Sequence, residues 1–267
     1  MNNNLAIRDD SLDGRIYEYE ELLLRRDQIL KECDSILIEY TLEYGELIQR
    51  SFELKIDCIK SKKSIAYCQR QINRGLNIDS EAMNAMIGRE MAAYYDELRE
   101  IVEQNNRAKE AETIGGYRIQ RAKKIYRRLA KKLHPDINAQ TSKNEILRDL
   151  WTRIVFAYRM SDIEALEDLE AMVRKAMEEL GEYGFEYDTT NLNERIERLE
   201  AQIADILATE PYTYREILRD DERRTAKKKA LEDEIAEYEK YLAELTATLD
   251  KLLSHKGVNI IWKMPSK

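Results

Sequence analysis

The sequence predicts an all-α protein, with long coiled-coil helices flanking an embedded antiparallel pair of short helices. Three observations predict it. Glycine (9) and proline (3) are scarce in 267 residues, far below the roughly 12 % that average composition supplies. Folds of many strands need more turns than that. Apolar residues recur in heptads through both ends of the chain. The longest apolar runs, such as Ile154 to Tyr158, are about five residues, against the ~20 that span a bilayer.

The first element runs from Leu12 to Ile72. Its 4-3-4-3 row begins Leu12, Ile16, Tyr19, Leu23 and ends Ile65, Cys68, Ile72, with Arg26, Ser51 and Ser61 as its polar interruptions. A 3.5-residue repeat held this long predicts a left-handed coiled-coil helix of roughly 90 Å. Cys33, Cys58 and Cys68 all lie on the row, which marks them as packing residues. Gly75, Asn77 and Asp79-Ser80 form the first turn, with Ser80 as the expected cap of a second helix over about 80–113. Its row (Met83, Ile87, Met91 or Glu90, Tyr94, Leu98, Ile101, Ala108) predicts a hairpin with the first helix, closed by Gly115-Gly116.

Two short helices follow, over about 118–133 and 144–160, and another amphipathic stretch spans Ile163 to Leu180. Heptads return at Leu192, Ile196, Leu199, Ile203 and Ile206, then at Leu231, Ile235, Tyr238, Leu242, Leu245, Leu249 and Leu252. They read as a second hairpin turning near Thr209 to Tyr214, with Val258 to Trp262 as a strand or docked tail. The resulting organisation is 1–113 hairpin, 114–182 central module and 183–267 C-terminal hairpin with its tail.

Several functions are excluded by composition. The N-terminus has no basic region followed by an apolar stretch, so no secretory signal is expected and the chain reads as cytoplasmic. Three cysteines without metal-ligand spacing and two histidines 121 positions apart leave no metal or cofactor site and no Ser-His-Asp or Cys-His arrangement. His255, near a helix C-terminus, is expected to meet the last carbonyls. Acid pairs such as Glu20-Glu21 and Glu178-Glu179 read as solvated faces. No glycine-rich phosphate loop is present, so the chain is not expected to be an enzyme.

Charge singles out one segment. The net charge is −8, yet residues 117–133 carry eight basic side chains and no acid, leaving −16 on the rest. Within it Ile119, Ala122, Tyr126, Leu129 and Leu133 make one helical face, while Arg118, Arg121, Lys124, Arg128, Lys131 and Lys132 spread over the opposite side. Pro135 disfavours helix at His134, so the helix should end near Leu133 in a tight loop. Leu147, Leu150, Trp151, Ile154, Ala157 and Tyr158 supply the matching face of the next helix.

Ile125 to Asp136, reading Ile-Tyr-Arg-Arg-Leu-Ala-Lys-Lys-Leu-His-Pro-Asp, resembles the second helix and loop of a J-domain, the module of DnaJ-type co-chaperones. Trp151 to Tyr158 is similar to its third helix. The likeness covers about 45 residues. It departs at Ile137, where the family usually carries Lys or Arg, and in the first helix, whose place the 80–113 helix with Tyr94, Tyr95 and Leu98 is expected to take. The Gly/Phe-rich and zinc-binding regions of full-length DnaJ proteins have no counterpart.

The resemblance implies a co-chaperone that docks on a DnaK-type chaperone and stimulates its ATP hydrolysis. Arg121, Lys124, Arg127, Arg128 and Lys131 would steer and orient an acidic surface. His134 and Asp136 would make specific polar contacts, Pro135 would hold the loop, and Tyr126 would join the partner-binding set. The coiled coils are expected to recruit a client protein, and the surplus of the first helix allows a homodimer. Two other readings stand beside this one. The rod is a scaffold with a vestigial J-domain, or the basic helix contacts nucleic-acid phosphates. Cations ringing an anchored helix in a very acidic chain weigh against the last.

Overall fold

A computed structural model describes residues 11–110, 116–181, 185 and 189–254. Among them there are ten helices and no strand: α1 Leu12–Asn73, α2 Ser80–Glu90, α3 Ala92–Glu110, α4 Gly116–Leu133, α5 Ala139–Lys143, α6 Glu145–Arg159, α7 Ile163–Leu180, α8 Leu192–Ala208, α9 Tyr214–Leu218 and α10 Asp221–Ser254. The protein is all-α. No helix among the described residues is long and apolar enough to cross a membrane. His255 and the Val258–Trp262 tail lie outside the described residues.

Local chemistry sets the helix ends. The expected Ser80 cap is instead the first helical residue of α2, and Asp79 caps it by accepting from the Glu81 and Ala82 amides. The single helix expected over 80–113 is divided at Met91, which stands between α2 and α3. Asn144 caps α6 by accepting from Ile146 and Leu147 N–H, and Asp162 caps α7 by accepting from Ala165 N–H. The polar loop expected after His134 holds one short helix, α5. Its N-cap is Asn138.

The described chain forms two compact units, Met1–Leu37 with Glu112–Arg215, and Ile38–Ala111 with Glu216–Lys267. This partition cuts across α1 and differs from the linear division 1–113, 114–182 and 183–267 that the sequence suggests.

In the second unit, α1 pairs with α2 and α3 running the other way. Lys63 bonds Glu90, and Asn105 donates to Gly45 O at 2.9 Å. Glycine at position 45 makes room for this contact, since an added Cβ would lie 2.2 Å from Asn105 Oδ1 and displace that side chain. The core is built on Ile56, Tyr67, Cys68, Met83, Ile87 and Met91. Tyr94 and Leu98, expected to stand in for a first J-domain helix, pack on this core. Leu249 and Leu253 of α10 join it, and Arg224 at the start of α10 forms a two-bond ion pair with Glu43 of α1.

In the first unit, α4, α6 and α7 bury a shared core of Ala122, Leu129, Leu133, Leu147, Leu150, Ile154, Leu166 and Val173. Each fully buried Leu or Ile there contributes about 1.5–3 kcal/mol. Tyr126 stacks on Tyr158 with centroids 4.0 Å apart, and His134 meets Trp151 edge-on at 4.8 Å. The later of the two positions along α4 thus meets the earlier of the two along α6, so the helices run in opposite directions. A second core joins Tyr19, Leu23, Ile29 and Cys33 of α1 to Leu192, Ile196, Leu199 and Ile203 of α8.

The C-terminal heptads were read as a hairpin of their own. Instead α8 packs on α1 in one unit and α10 packs on α1 in the other. A heptad stripe says that a helix has a partner without saying which. All three cysteines are free and buried, as their seam positions predict.

Candidate functional site

The candidate site is the end of α4 and the loop that follows. His134 still bonds as helix, its N–H donating to Ala130 O at 2.8 Å, and Pro135 then ends the helix. Ile137 and Asn138 N–H both return to His134 O at 2.8 Å, which closes the turn. Asn138, completely buried, donates from Nδ2 to Lys132 O at 2.9 Å and accepts from Gln140 N–H through Oδ1 at 3.0 Å. It ties the last turn of α4 to the first of α5.

His134 is only 4 % exposed. Asp136 N–H donates to its Nδ1 at 3.1 Å, and its Nε2 faces Asp27 Oδ2 at 3.8 Å. Arg26 Nη2 lies 3.3 Å from the same nitrogen. Burial pulls the imidazole below its usual pKa, and the carboxylates of Asp27 and Asp136 oppose that pull without overcoming it. The ring is therefore neutral at pH 7. The Asp136 side chain remains 48 % exposed, with Arg26 Nη1 3.9 Å away.

The nine predicted site residues divide by the neighbour they face. Five of them look toward α1. Tyr126 Oη donates to Asp27 Oδ2 at 2.5 Å, Arg127 pairs with Glu21, and Lys131 bonds Glu20 at 2.9 Å. His134 and Asp136 meet Asp27 and Arg26. Arg121 and Arg128 look toward α7, pairing with Glu167 and Glu170, the latter through two parallel bonds of 2.7 and 2.8 Å. That pair holds the Glu170 carboxyl below its usual range. Lys124 faces solvent, and Pro135 is half-buried.

Burial raises both tyrosines at the site. Tyr126 is pushed up by burial and then by Asp27, and Tyr158 is pushed up to about 12 by the same two causes. Neither ionises near neutrality. Lys31 is buried below them, its Nζ donating to Tyr158 O at 2.6 Å and Ser161 Oγ at 2.5 Å and lying 4.1 Å from the Tyr158 ring. It caps the C-terminal end of α6. Burial lowers its pKa to about 8.

Three features of the site were not anticipated. Glu20 and Glu21 read as a solvated face, yet Glu20 is 14 % exposed and both pair with the basic helix. Asp27 was not singled out, although it meets Tyr126, His134 and Arg26 together. A clue was available in Arg26, the one charged residue on the α1 seam, which falls where α1 meets the His134 loop. Lastly, α2 and α3 were expected to replace the first J-domain helix, but they belong to the second unit, and α1 covers α4 in the first. Ile137 is fully buried in the α1–α8 core, which accounts for an apolar residue at that position.

A cleft of about 240 Å³ lies between α1 and α4, lined by Glu21, Leu24, Gln28, Lys123, Tyr126 and Arg127 among others. It is smaller than common small-molecule sites, which begin near ~300 Å³. No group of three or more metal-ligating side chains occurs among the described residues. No protein-family model, curated protein or solved structure matches the chain.

Proposed function

We propose that the protein is a cytoplasmic J-domain co-chaperone, which docks on a DnaK-type chaperone through α4 and the His134–Asp136 loop and stimulates its ATP hydrolysis. One observation carries the reading. A basic helix and an oppositely directed aromatic-bearing helix hold His-Pro-Asp in a defined loop between them. Arg127, Arg128, Lys124 and Lys131 supply the positive field that speeds encounter with an acidic surface. Asp136 presents its half-exposed carboxylate, and Pro135 with the Asn138 bonds fixes the loop that displays it. The chain performs no hydrolysis itself; its client is a protein bound through the remaining helices. The test is single-turnover ATP hydrolysis by the host's DnaK-type chaperone, with this protein and its His134→Gln variant. Acceleration that the variant loses supports the reading.

A second reading is favoured by the burial of His134. In a scaffold with a vestigial J-domain the histidine is only a packing residue, set edge-on against Trp151 and bonded to Asp136 N–H. That reading expects no acceleration from either protein.

A further inference from the structure

The acids of α1 and the cations of α4 match one another along the face that the co-chaperone reading assigns to a partner. Glu21 pairs with Arg127, Glu20 with Lys131, and Asp27 takes the Tyr126 hydroxyl while facing His134. An acidic chaperone surface would have to make these same contacts. Beyond Asp136 the loop is fastened as well, with Ile137 buried between α1 and α8, and Arg195 of α8 donating to Asp136 O. We propose that the acidic segment of α1 around Glu20, Glu21 and Asp27 is an internal competitor, which occupies the partner-binding face of α4 and yields when an acidic partner docks.

The inference rests on the co-chaperone reading and adds its regulation. The contacts are graded in strength. Glu21 and Arg127 have side chains 32 % and 44 % exposed, the kind of ion pair that water and salt weaken most. Asp27 and His134 lie deeper. The 240 Å³ cleft between the helices is lined by both Glu21 and Arg127, the most exposed of these pairs. A partner can therefore exchange its acids for Glu21 first, and displace the more buried Glu20 and Asp27 afterwards.

The test uses the full chain carrying Glu20→Gln and Glu21→Gln together, titrated into the chaperone in single-turnover ATP hydrolysis. Removing two negative charges makes any protein a better ligand for an acidic surface. A control with the same net charge, Glu232→Gln with Glu234→Gln on exposed α10 positions of the other unit, is therefore run beside it. Loss of one exposed and one half-buried ion pair predicts that half-maximal stimulation needs about three- to ten-fold less of the α1 variant than of wild type. The α10 control stays near wild type. Glutamine keeps its hydrogen-bonding capacity at both positions, and unchanged helical circular dichroism verifies the fold. Equal behaviour of the α1 variant and the control, with wild-type stimulation intact and lost in His134→Gln, overturns the competitor and leaves the co-chaperone reading standing. No stimulation by any of these proteins overturns both.

Discussion

Tyr126 Oη donates to Asp27 Oδ2 at 2.5 Å, joining a helix near the N-terminus to the basic helix ninety-nine positions later. The bond is charge-assisted and mostly shielded from water, which is where a hydrogen bond contributes most. Tyr126→Phe removes the donor and leaves a poorly solvated carboxylate. We expect it to lower unfolding free energy by about 1–3 kcal/mol. Asp27→Asn should cost a similar amount, and the double variant less than the two combined, because the stranded partner is then gone. Chemical denaturation of the four proteins checks this. Additive losses would show that the two groups do not interact in solution.

Ile137 yields a prediction that runs against the sequence resemblance. J-domains usually carry Lys or Arg after His-Pro-Asp, so Ile137→Lys looks harmless on that comparison. Here the residue is buried between α1 and α8 with Leu23, Leu199 and their neighbours. A cation placed there loses hydration without gaining a partner, and we expect a loss of about 2–4 kcal/mol. Thermal unfolding followed by circular dichroism decides it. An unchanged midpoint would mean that the loop leaves the core at little cost.

Lys31 predicts a pH dependence. Its folded-state pKa is about 8 and its ordinary value is 10.5, so between these the unfolded chain holds a proton that the folded chain lacks. Unfolding free energy therefore rises with pH across that window. The contribution is complete above about 10.5 and absent below about 8. Lys31→Met removes it while leaving the tyrosines and cysteines to titrate as before. Between pH 7.5 and 10, wild type should gain about 1–2 kcal/mol relative to the variant. A constant difference would contradict burial of the ammonium group.

Much of this architecture was legible in the residues. The heptad row of α1 places Tyr19, Leu23, Cys33, Tyr44 and Cys68 in cores, because a 3.5-residue repeat fixes which face is buried regardless of the partner. Pro135 ended α4 where expected, through sterics that act within one residue. Pairing was less legible. Leu192–Ile203 and Leu231–Leu252 carry the same kind of stripe, and nothing in either says that each meets a different half of α1. Glu20 and Glu21 show the same limit. An acid pair on a helix looks solvated until a basic helix distant in sequence is laid against it, as Lys131 and Arg127 are here. Arg26, out of place on an apolar seam, was the visible sign that α1 had polar business with the loop.

The most direct test of the account is single-turnover ATP hydrolysis by the host's DnaK-type chaperone, with wild-type protein, His134→Gln, and the Glu20→Gln/Glu21→Gln variant. The account predicts acceleration by wild type, its loss in His134→Gln with the helical fold retained, and half-maximal acceleration at lower concentration for the α1 variant. A folded wild type and α1 variant that both leave the chaperone's hydrolysis rate unchanged would contradict it, and the helices would then be a scaffold in which His134 is a packing residue.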